Sequence, residues 1–151
     1  MQQDSNFDEG LPNWLAQFLT TYESLNTSNL HLLKTIYSDT VEFQDPMHEI
    51  YGLKHLTAYF NKLYTNLKEC RFHIDEVFYQ NNNASVFWTM TYVHPKLNGG
   101  AEVTVQGHSH LKGQENLVYY HRDYLDVGAM LYEQIPLLGR IIKAIKGRSA
   151  S

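Results

Sequence analysis

The sequence holds a single cysteine, Cys70, in 151 residues. That excludes an internal disulfide framework and a multi-cysteine zinc site, and it fits a reducing compartment. No apolar run approaches the ~20 residues of a membrane span. The first ten residues, MQQDSNFDEG, are acidic and polar, unlike a signal peptide. A cytoplasmic protein is therefore expected. No repeat, low-complexity block or linker interrupts the chain. Acidic residues are missing after Glu133, where Arg140, Lys143, Lys146 and Arg148 stand alone. The preceding residues carry 8 basic against 16 acidic groups. A body this acidic repels phosphate backbones, so nucleic acid is not an expected partner.

What is present describes one globular domain: 43% hydrophobic and 19% charged residues. A chain of this size buries roughly two-thirds of its unfolded surface and needs no metal or disulfide to hold a core. Pro12 opens a first helix, with Trp14, Leu15, Phe18, Leu19, Tyr22 and Leu25 on one face. Asn26 to Asn29 breaks it and caps a second, in which Leu30, Leu33 and Tyr37 fall in step. Thr40 to Phe43 reads as a short strand stopped at Asp45-Pro46. A third helix follows Gly52, with Leu53, Leu56, Tyr59, Phe60, Leu63 and Leu67 on one side. The period then changes from 3.6 to 2. Strands are expected over 71–79, 84–94, 101–111 and 117–126, joined by short turns into an antiparallel meander. Helices ahead of a curved antiparallel sheet define an α+β domain.

Three patches carry a resemblance: YESLNTSNL from Tyr22, VEFQDPMHEIYG from Val41, and the segment Tyr119 to Asp126, above all HRDYLD from His121. With the element order they resemble the nuclear-transport-factor-2-like superfamily, especially its SnoaL-like branch of polyketide cyclases, ketosteroid isomerases and limonene-epoxide hydrolases. The likeness runs from about Trp14 to about Tyr132. It implies a cone, in which three N-terminal helices close over a strongly curved antiparallel sheet and leave an apolar cavity. It also implies a homodimer paired through the outer sheet face. The domain would span residues 1–134, with 135–151 a basic amphipathic helix docked on it or on a dimer partner.

The resemblance also points to individual residues. Asp45 matches the general-base aspartate of the isomerases; a carboxylate in an apolar cavity loses solvation and becomes a stronger base. The residue-level alternative is a turn-initiating Asp-Pro. Tyr22 matches the tyrosine that donates to the developing oxyanion, or it packs in the core. Ser109 stands where the isomerases place a protonated aspartate, and serine is the weaker donor. Asp123 looks like the later aspartate of the epoxide hydrolases, but no arginine or aspartate lies between Val103 and Leu111 to complete that set.

The residues themselves add further expectations. Strict alternation puts Tyr119, His121, Asp123 and Leu125 on one face of the last strand. If that face looks into the cone, His121 and Asp123 form a pair able to shuttle a proton. Otherwise Asp123 closes the cavity rim while Arg122 and Asp126 pair with charges on the outer face. Trp88, Met90 and Tyr92 share a face suited to a ligand wall or a core, and Trp14, Phe18 and Phe60 from the helices and Tyr119 from the last strand would add to that wall. His108 and His110 point the same way, yet two histidines do not make a zinc site; no metal and no cofactor are expected. His48 and His55 could line the cavity mouth. The tail helix sets Leu138, Ile141, Ile142 and Ile145 on one side, a pattern that suits docking or an anionic membrane surface. The expectation is a protein that holds a hydrophobic carbonyl or epoxide compound, either as a proton-transfer isomerase, cyclase or hydrolase, or as a non-catalytic binding domain for a lipid-like ligand.

Overall fold

The computed structural model describes residues 10–150. Helix α1 (Asn13–Ser24) is capped by Pro12 and buries Trp14, Leu15, Phe18, Leu19 and Tyr22 at helical spacing. The connection after it is held by side-chain amides. Asn26 Oδ1 accepts from the Ser28 N–H at 2.8 Å, and Asn29 Oδ1 accepts from the Asn26 N–H at 2.7 Å. Such local bonds satisfy the backbone without helix, which is why the chain turns here.

The expected second helix is only a 3₁₀ segment, Leu30–Thr35. Six residues are too few to repay α-helix nucleation. Tyr37, expected on that helix, instead opens strand β1 (Tyr37–Gln44). Strand β2 (Glu49–Tyr51) folds back on β1, and Gly52 adopts φ +88°, a conformation glycine reaches without strain. Helix α2 (Leu53–Thr65) follows and buries Leu56, Phe60 and Tyr64, spaced four apart on one stripe.

Strands β3 (Glu69–Gln80), β4 (Asn83–Val93), β5 (Val103–Gln114) and β6 (Leu117–Leu125) form the antiparallel meander. The sheet order is β2-β1-β6-β5-β4-β3. One pairing departs from the antiparallel expectation: β1 runs parallel to β6, because the chain crosses from one to the other through α2 and the whole meander. The sheet curls without closing, and α1 and α2 pack on its inner face.

Bulges set the curl and the facing of side chains. On β6, Lys112 pairs with Tyr120 and Gly113 with Val118, so Tyr119 is left without a partner. Strict alternation fails at that point. Val118 and His121, three apart, both turn inward at 0% and 1% exposure, while Tyr119 turns out at 36%. Beyond β6 come a single turn, α3 (Val127–Met130), and a final helix, α4 (Pro136–Ser149). Gly139 of α4 packs against the Glu133 backbone, and Lys146 Nζ reaches Asp126 Oδ2 at 2.7 Å and Glu133 Oε2 at 3.1 Å. Leu137, Ile141 and Ile145 lie exposed on it. Among the described residues, no helix is long and apolar enough to cross a membrane.

Candidate functional site

The concave sheet face, α1 and α2 surround a cavity of about 530 Å³, a size typical of small-molecule sites. Its wall is mainly apolar: Phe60 and Leu63 from α2, Phe72, Trp88, Met90 and Leu125 from the sheet, and Met130 and Leu131 after β6. Trp88 lies flat over Gly107, the residue opposite it on β5. Any Cβ at that position would collide with the indole. Glycine here lets a large ring bend inward and form a wall.

Polar groups enter this lining at three places. The first is the loop after β1. Asp45 Oδ1 accepts the backbone N–H groups of Met47 at 2.8 Å and His48 at 2.7 Å, and Oδ2 accepts the Tyr59 hydroxyl. Both Asp45 oxygens thus hold the turn and a phenol in place. Burial, and then the bond to Asp45, push the Tyr59 phenol well above its ordinary pKa.

The second place is Asp123 on β6. Its Oδ1 accepts from Ser109 Oγ and from His121 Nε2, each at 2.5 Å. Trp88 Nε1 donates to Ser109 Oγ at 2.8 Å. No described residue bonds Asp123 Oδ2. On the far side of the imidazole, His121 Nδ1 meets Tyr37 Oη at 2.6 Å, and Tyr37 Oη meets Tyr22 Oη. A carboxylate only accepts, so the ring nitrogen facing Asp123 carries hydrogen. The line of contacts then runs from Nδ1 through the Tyr37 hydroxyl to the Tyr22 hydroxyl. Burial raises the Tyr22 and Tyr37 phenols far above the usual range, with the Asp123 charge adding to the effect at both. They remain neutral.

The third place is Tyr64 on α2, beside the Cys70 thiol of β3. Burial raises the phenol and pushes the thiol up to about 11. Both remain protonated at neutral pH.

The structure sorts the residues singled out in the sequence. Tyr22, Asp45, Phe60, Trp88, Met90, Tyr92 and Asp123 line the cavity. Ser109 and His121 are buried behind Asp123, and neither forms part of the lining. Trp14 and Phe18, expected in the wall, instead fill the core behind it. Trp14 covers Gly113, and Phe18 stacks on Tyr22 at 4.3 Å and meets the His121 ring edge at 5.6 Å. They sit on the same helical face as Tyr22, but of that face only Tyr22 reaches the hollow. Tyr119, also expected in the wall, is turned outward by the bulge.

His48 lines the cavity, whereas His55 is exposed and bonds the Tyr51 carbonyl at 3.0 Å. His108 and His110 lie on the outer sheet face, bonded to Ser85 and Asn83, away from His121. No three metal-ligating side chains converge among the described residues. Sequence reasoning missed Tyr37, Tyr59, Tyr64 and Cys70 as parts of the site. Tyr64 had a signal, its spacing of four from Leu56 and Phe60. Tyr37 had none while it was read as helical.

The profile of the SnoaL-like domain family matches residues 18–121, and the chain belongs to that family. No curated protein matches it by sequence. Solved structures show the same NTF2-like fold at low identity. A protein of unknown function from Burkholderia pseudomallei aligns at TM-score 0.71 and 16% identity, covering 80% of this chain and 96% of that one. A putative SnoaL-like polyketide cyclase from Jannaschia aligns at 0.68 and 13%, covering 79% and 89%. A protein named TerC, co-crystallised with polyporic acid, aligns at 0.67 and 16%, covering 79% and 95%.

Proposed function

We propose that this protein binds an apolar carbonyl compound in the cavity and transfers a proton on it, as an isomerase or cyclase does. One observation carries the reading. Asp123 lines an apolar hollow with one oxygen anchored by His121 and Ser109 and the other without a protein partner. The anchored oxygen fixes the carboxylate's orientation; the open one is the base. It takes a proton from the carbon next to the carbonyl, the C–H electron pair moves onto the carbonyl oxygen, and the same carboxyl returns the proton to another carbon. Asp45, matched by resemblance to the base, is not assigned that role, because its oxygens are engaged by the turn and by Tyr59. Epoxide hydrolysis is not favoured, since Arg122 turns to the outer face over Tyr124. The polyketide-cyclase names of fold neighbours support this substrate class.

Nitrobenzisoxazole tests the reading. A carboxylate removes its isoxazole C–H proton, the C–H electron pair forms a nitrile, and the N–O bond breaks to release a coloured phenolate. Turnover should fall at least about a hundredfold in Asp123→Asn, with binding of anilinonaphthalene sulfonate retained. Unchanged turnover in that variant would remove Asp123 from the mechanism. A second reading, a binding domain without chemistry, draws on the Tyr22 hydroxyl, which is engaged by the buried Tyr37 hydroxyl rather than standing free in the cavity. Dye binding with no turnover in the wild-type chain would select it. The homodimer belongs to the same proposal. The aromatic row Phe78, Phe87, His108 and Tyr124 on the outer sheet face supports it, and sedimentation velocity checks it.

A further inference from the structure

The hydroxyls and the indole N–H around the cavity are almost all accounted for. Tyr22 bonds Tyr37, Tyr59 bonds Asp45, Tyr92 bonds the Met130 carbonyl, and Trp88 bonds Ser109. Tyr64 is the exception. Its ring is 4% exposed, it lines the cavity, and its Oη is the one buried side-chain polar atom among the described residues with no hydrogen-bond partner. Its polar neighbour is the Cys70 thiol, which interacts with the phenol, but a sulfur is a weak acceptor and does not replace an oxygen partner. A folded chain does not leave a phenol unsatisfied in an apolar pocket without cost. Phenylalanine would fill the same space on the same stripe of α2.

We propose that Tyr64 Oη is a ligand-recognition group, donating a hydrogen bond to a carbonyl or ether oxygen of the bound compound. This rests on the reading of the cavity as a small-molecule site, and it adds a requirement to it. The ligand must be an apolar body with an acceptor oxygen placed to meet α2 when its acidic carbon meets Asp123. Because burial keeps the Tyr64 phenol protonated, it can serve as a donor throughout the physiological pH range. The role is one of binding and selection, and it does not depend on whether Asp123 performs chemistry.

A matched pair of probes tests it: methyl naphthyl ketone, which carries an acceptor oxygen, and isopropenylnaphthalene, in which a CH2 group replaces that oxygen on the same sp2 carbon. Affinities are read by displacement of anilinonaphthalene sulfonate from the full chain. The wild type should bind the ketone more tightly than the hydrocarbon by roughly three- to tenfold, the worth of one net hydrogen bond. Tyr64→Phe should lose that preference while keeping its affinity for the hydrocarbon. It should also melt close to the wild type, since only the weak contact with the Cys70 sulfur is lost. A ketone preference that persists in Tyr64→Phe overturns the proposal and leaves the cavity reading standing. A melting temperature several degrees lower also overturns it, by showing that the hydroxyl is satisfied within the fold. If neither probe displaces the dye from the wild type, the cavity reading falls and the role of Tyr64 with it.

Discussion

The Tyr37 hydroxyl meets His121 Nδ1 at 2.6 Å, joining residues 84 positions apart behind the cavity wall. That bond fixes the imidazole. Its other nitrogen then faces Asp123 at 2.5 Å, so the orientation of the cavity carboxylate depends on a tyrosine that never touches the cavity. The parallel pairing of β1 with β6 creates the relationship, since it sets Tyr37 beside Val118 at the foot of β6.

Tyr37→Phe therefore separates positioning from chemistry. It leaves His121 Nδ1 and Tyr22 Oη unpaired in the interior, a loss of about 1–3 kcal/mol in stability by chemical denaturation. Nitrobenzisoxazole turnover should show kcat falling by roughly tenfold or more with KM nearly unchanged, because the cavity wall is intact. A purely structural role for Tyr37 would lower stability and leave kcat where it was.

How much of this the sequence disclosed follows from what each signal measures. Periodicity reported α1, α2 and the four long strands, because burying one face is a local requirement repeated along the chain. It could not report Tyr119. A bulge is one unpaired residue, and its only trace is a parity break that needs the partner strand to be seen. The parallel pair was equally hidden, since nothing in the stretch 37–44 says which strand it will join. The resemblance brought Asp45 forward; that its carboxylate also accepts two turn N–H groups could be seen only in the fold. Asp123 and His121 were legible as an i,i+2 pair. Their orientation by Ser109 and Tyr37 was not, because those contacts cross between strands.

Gly107→Ala tests how the wall is built. A methyl group there must displace the Trp88 indole from its position over the glycine. Overpacking of this kind costs about 1–3 kcal/mol. Trp88 also holds Ser109, which holds Asp123, so the shift should reach the site. The expected result is a lowered melting temperature, altered tryptophan emission and reduced turnover together. Normal turnover with lowered stability would show that the Trp88–Ser109 bond does not position the carboxylate.

The wall also makes the fold sensitive to alkali. Burial raises Cys70 from an ordinary 9.0 to about 11, and it raises Tyr22, Tyr37, Tyr59 and Tyr64 above their ordinary 10.0. Each group keeps its proton in the folded chain over a range where the unfolded chain has lost it. The folded state therefore binds more protons above pH 9, and stability falls as pH rises from there. Melting temperatures should be flat near neutrality and decline from about pH 9 upward, with tyrosinate absorbance from these rings appearing only as the chain unfolds. At pH 8 the folded Cys70 holds roughly a hundredfold less thiolate than an ordinary thiol, so disulfide reagents should label it slowly until denaturant is added. Rapid labelling of the native chain, or tyrosinate signal for all eleven tyrosines before unfolding, would mean that the hollow admits water freely. An apolar ligand seated there should slow the labelling of Cys70 further, which makes the thiol a reporter of occupancy as well as of burial.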